Sequence, residues 1–178
     1  MPAEVVDLQL FRLARAAAQA EDIFLSRFGL VLDPGTRASE LPDEVLAFLI
    51  DFSAPPTDFL YQLVIRLLGL GREIGFESLS NQDKMSVLDV YFVLLDQFRF
   101  ECLHRLGWLV SYPGQDIPLV RLALEPAAVK RVEGRFELSP SHPDYPEFKL
   151  RRDIDGEVVV RRLIPLGVTA FRRHCEQT

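Results

Sequence analysis

Two periodicities run along this chain. Between residues 3 and 28, Val6, Leu10, Leu13, Ala17, Ala20 and Phe24 recur at steps of four and three. That is a helical seam of the a/d type, and its small alanines allow another helix to approach closely. A second helix is predicted over 41–52, with Pro42 in its first turn and Val45, Leu46, Leu49 and Phe52 apolar. A third is predicted over 57–69, striped by Phe59, Leu60, Leu63, Val64, Leu67 and Leu68.

The densest apolar run lies in Met85–Trp108, predicted as the central helix. Ser80-Asn81-Gln82-Asp83 precedes it as a capping box with Asp in place of Glu, and Gly107 stops it. Its first half is apolar nearly all round, so it is expected to be enclosed by protein. Its second half divides into an apolar face (Leu95, Phe98, Cys102, Leu103, Leu106) and a polar one (Gln97, Glu101, His104, Arg105).

Beyond Pro113 the pattern changes. Residues 117–132 fit either period and read as short helices. Arg135–Leu138 alternates like a strand, and Ser139–Pro146 reads as a proline-rich loop. Phe148–Leu163 is read as an antiparallel β-hairpin, because Asp155-Gly156 suits a type I′ turn and Val158, Val159 and Val160 favour strands. Residues 167–176 are predicted as a terminal helix anchored by Phe171.

These elements predict an α+β fold: an N-terminal bundle of about four helices with a smaller C-terminal lobe carrying the β-hairpin. The chain is read as a single domain, 1–178, with lobes at 1–112 and 113–178. The first lobe holds 9 Lys/Arg against 16 Asp/Glu and the second 11 against 10, so the net charge of −6 sits in the helical part. No apolar run reaches the roughly 20 residues a membrane span needs, and no signal peptide is evident. Two cysteines, Cys102 and Cys175, are too few for a disulfide scaffold. The expectation is a cytoplasmic, bacterial protein without membrane attachment.

Candidate chemistry is sparse. Glu101-x-x-His104 has the spacing of one half of a di-iron carboxylate motif, but the second half and the two further carboxylates are missing, so no metal is assigned. Asp89 and Asp96, seven residues apart, share one side of the helix with Arg99 nearby. They read as an acid/base pair or, more simply, as structural ion pairing. Gly69-x-Gly71-x-x-x-Gly75 lacks the strand before it and the helix after it that a phosphate loop needs, so no cofactor is assigned. Ser141-His142-x-Asp144 is too local for a triad. Lys149, Arg151 and Arg162 give the hairpin a basic face, as in the wing of a winged-helix DNA binder, although Asp153, Asp155 and Glu157 oppose it.

With no catalytic constellation, the sequence points to a non-enzymatic protein-interaction or regulatory module whose partner is another protein or a second copy. The alternatives are a ligand-binding or catalytic pocket between helical lobe and hairpin (using Asp89, Asp96, Arg99, Glu101 or His104) and nucleic-acid binding through the basic hairpin.

Overall fold

The computed structural model describes residues 19–33, 35–71, 74–125 and 134–177. The upstream part of the first seam (Val6, Leu10, Leu13, Ala17) and residues 126–132 of the stretch read as short helices lie outside these residues. The fold is helix-dominated α+β with one two-stranded antiparallel sheet. The described helices are α1 (19–28), α2 (Asp43–Leu49), α3 (Ala54–Leu67), α4 (Asn81–Arg105), α5 (Leu119–Leu124) and α6 (Tyr145–Gln177). Strands β1 (Leu109–Ser111) and β2 (Glu137–Leu138) pair antiparallel, Leu109 opposite Leu138.

Helix α4 is the axis: α2, α3, α5, α6 and β1 all pack on it. Its start follows the capping signal. Ser80 Oγ accepts from the Asp83 N–H at 3.1 Å and donates to the Asp83 carboxylate at 2.7 Å, satisfying an orphan donor of the first turn. Its end is set by Gly107 at φ 72°, a left-handed position that a residue with a Cβ enters only with strain. Proline explains the start of α3 three residues earlier than predicted. Pro55 and Pro56 occupy the first turn, where a missing N–H costs nothing.

Two apolar clusters flank α4. In one, Phe24 of α1 stacks on Phe59 of α3 with ring centroids 4.0 Å apart, and Leu46, Leu49, Leu94, Phe98 and Phe171 complete the packing. In the other, Phe100 and Leu103 meet Leu109, Leu138, Phe148, Val159, Val160 and Leu163. Phe98 and Phe100 thus serve different clusters from the same helix. The enclosure expected for the first half of α4 is incomplete: Val87, Val90, Leu94 and Leu95 are buried, but Met85 and Phe92 are exposed. Helix α6 covers this side of α4 only from about Asp96 onward, through Arg161 on Asp96 and Gly167 on Leu103.

The hairpin predicted at Asp155-Gly156 does not form. Residues 145–177 are helical, with a break at Asp155 (φ −151°, ψ 35°), and the two strands lie elsewhere, at 109–111 and 137–138. Burial and charge spacing explain the outcome. A strand turns successive side chains to opposite faces, yet neighbouring Val159 and Val160 are both fully buried. Glu147–Arg151, Arg151–Asp155 and Glu157–Arg161 are i,i+4 ion pairs that only a helix brings together. Gly156 sits in the break with Phe148 against it. Pro165 costs a helix interior about 3 kcal/mol. Burying Leu163 and Phe171 on either side returns about 1.5–3 kcal/mol each, so packing prevails. The predicted terminal helix is the end of α6, and its anchor Phe171 is fully buried.

Candidate functional site

The polar residues of α4 were expected to face solvent or the second lobe. Two of them, Gln97 and Glu101, are buried, Glu101 at 2 % exposure. The cause is the chain reversal after Gly107, which lays Leu109–Gln115 back along this face. Tyr112 Oη donates to Glu101 Oε2 at 2.7 Å, and Arg105 Nε donates to Glu101 Oε1 at 2.8 Å. Arg105 also reaches the Asp43 carboxylate and the Ser39 carbonyl. His104 Nδ1 lies 3.0 Å from the Leu109 carbonyl, which only accepts, so this nitrogen carries the proton. Its Nε2 then accepts from Gln115 Nε2 at 3.2 Å. Gln97 Nε2 donates to the Pro113 carbonyl at 3.1 Å.

These contacts fix the electrostatics. Burial, with the adjacent Glu101 carboxylate adding to it, pushes the Tyr112 hydroxyl well above its ordinary range. Burial likewise pushes the Cys102 thiol far up. Both groups stay protonated at neutral pH, so Cys102 is poorly suited to act as a nucleophile. Glu101 and His104, three residues apart, are engaged separately with Tyr112 and Leu109. Among the described residues no group of three or more His, Cys, Asp or Glu side chains is placed to hold a metal ion.

Asp89 is exposed and so does not share a buried site with Asp96. Asp96 accepts from Arg99 at 3.3 Å and from Arg161 of α6 at 2.6 Å. Arg99 also lies over the exposed ring of Phe52, 4.8 Å from its centroid. Three described clefts, of about 940 Å³ at the break of α6, about 620 Å³ beside Asp22, Ile23 and Arg27, and about 570 Å³ beside Leu63, Arg66 and Leu67, are lined by none of Asp89, Asp96, Arg99, Glu101 and His104.

The three basic-surface candidates lie on α6, not on a hairpin. Lys149 is exposed. Arg151 is bonded to Glu147 and Asp155, and Arg162 to Glu147. These partners draw the Glu147 and Asp155 carboxyls below their usual range.

The feature missed from the sequence is the outward side of α6. Leu150, Ile154 and Val158, at steps of four, are 83 %, 88 % and 48 % exposed. With the segment read as two strands, this exposure was not apparent: Leu150 and Ile154 lie one turn apart before the break at Asp155, and Val158 lies beyond it.

No family model, curated protein or solved structure matches this chain. Among the described residues no helix is long and apolar enough to cross a membrane.

Proposed function

We propose that this chain is a non-enzymatic protein-interaction module that associates with itself. The observation supporting this reading is that Leu150, Ile154 and Val158 are exposed on the two arms of α6 around its break at Asp155, while Phe148, Val159 and Leu163 of the same helix complete the core. Large apolar side chains left exposed near one another and rimmed by charge are the usual mark of a contact site. The polar residues of α4 are, by contrast, occupied in holding the 109–115 return, and the Asp96 carboxylate in joining α4 to α6. Static light scattering on the full chain tests the reading. A molar mass above 20.3 kDa that rises with concentration is expected, and a constant monomer mass would defeat it.

A further inference from the structure

We propose that the cleft between residues 31–33 and the end of α3 binds a small apolar amine, with its alkyl part in the cleft and its ammonium group at the mouth. The cleft holds about 570 Å³, inside the roughly 300–1,000 Å³ usual for small-molecule sites. Val31, Leu32, Leu63 and Leu67 give it apolar walls. Leu32 and Leu63 belong to the buried core, so this part of the wall is fixed. Val31 leaves 70 % of its surface in water. An alkyl chain lying against it would remove that apolar surface from water, which is favourable in proportion to the area covered.

Charge decides which head group fits. The cleft carries two charged side chains, Arg66 and Asp33. Arg66 is joined to Glu21 through two nitrogens, Nε at 3.1 Å and Nη1 at 3.4 Å, so its charge is met within the fold. Asp33 is paired with no cation among the described residues. One of its carboxylate oxygens accepts from the Gly35 N–H at 2.7 Å, and further lone pairs remain. Helix α3 ends at Leu67 and the chain turns at Gly69 (φ 69°), so the negative end of its dipole lies at the same cleft. Both features favour a positive head group and disfavour a carboxylate or a phosphate. An ammonium group brings three donors and no acceptor, which suits a carboxylate and helix-end carbonyls.

NMR titration of the full ¹⁵N-labelled chain with butyl-, hexyl- and octylammonium tests the site. Saturable shifts confined to the amides of residues 31–33 and 63–71 are expected. Affinity is expected to rise by up to about fourfold per added methylene, the worth of burying one CH₂. Octanol is expected to bind more weakly than octylammonium, and octanoate more weakly still. Asp33→Asn keeps the acceptor for the Gly35 N–H and is expected to weaken octylammonium about two- to fivefold, the worth of one exposed ion pair, while leaving octanol unchanged. Val31→Ser, at an exposed position, is expected to weaken both. No saturable shift, or shifts centred elsewhere, overturns the site. Octanoate binding as tightly as octylammonium overturns the charge assignment. A gain that stops at butylammonium, the length of a lysine side chain, points to a partner protein's lysine and overturns the small-molecule reading.

Discussion

Gly167 of α6 lies directly on Leu103 of α4. A Cβ at position 167 would overlap Leu103 Cδ2 and sit 3.2 Å from its Cγ. Leu103 is itself 1 % exposed, with no free space to turn into. This contact sets how closely the two helices approach along the second cluster. Gly167→Ala gains about 1 kcal/mol of helix propensity but overpacks a closed site, which costs about 1–3 kcal/mol. A net loss of stability in urea denaturation is expected; a gain would show that the helices separate freely here.

Tyr112 carries the buried hydrogen bond to Glu101. Tyr112→Phe leaves that carboxylate without one of its donors, and a loss of about 1–3 kcal/mol is expected by urea denaturation at pH 7.

The same pair gives a pH dependence. An unfolded tyrosine titrates near pH 10, whereas burial and then Glu101 raise the folded value of Tyr112. Below the unfolded pKa both states hold the proton. Between the unfolded and folded values only the folded state holds it, so stability falls as pH rises above about 10. The urea midpoint is expected to drop between pH 8 and 10.5, and to drop less in Tyr112→Phe. Equal drops would sink the assignment.

Ser80 caps the axial helix. Ser80→Ala removes the acceptor for the Asp83 N–H and is expected to cost about 1 kcal/mol. No change in thermal midpoint would mean that water replaces the cap without loss.

Cys102 is fully buried between helices, while Cys175 is only half-buried. Thiol labelling of native protein is expected to spare Cys102 and modify it only on unfolding. Mass mapping after brief exposure to a maleimide checks this, and rapid native labelling of Cys102 would contradict the packing.

Much of the candidate site was hidden for a definable reason. The Asp96–Arg99 and Glu101–Arg105 pairs were legible because they are three and four residues apart on one helix. Their other partners, Arg161 and Tyr112, come from sequence-distant segments that helical spacing does not reach. Asp89 and Asp96 are close in projection yet differ in environment, because α6 covers α4 at Asp96 and leaves Asp89 in solvent.

The sequence by itself determined the elements whose signals are local and unopposed. These include the Ser80–Asp83 cap, the Gly107 stop, the stripe of α3 and the anchor Phe171. Residues 147–164 carried two competing local signals: a turn-forming Asp-Gly with three valines, and acidic and basic residues four apart. Both signals are weak, on the order of 1 kcal/mol or less. Tertiary packing decided between them, because only a helix lets Phe148, Val159, Val160 and Leu163 enter one core together. That choice also left Leu150, Ile154 and Val158 exposed on α6, the first two before its break at Asp155 and the third beyond it.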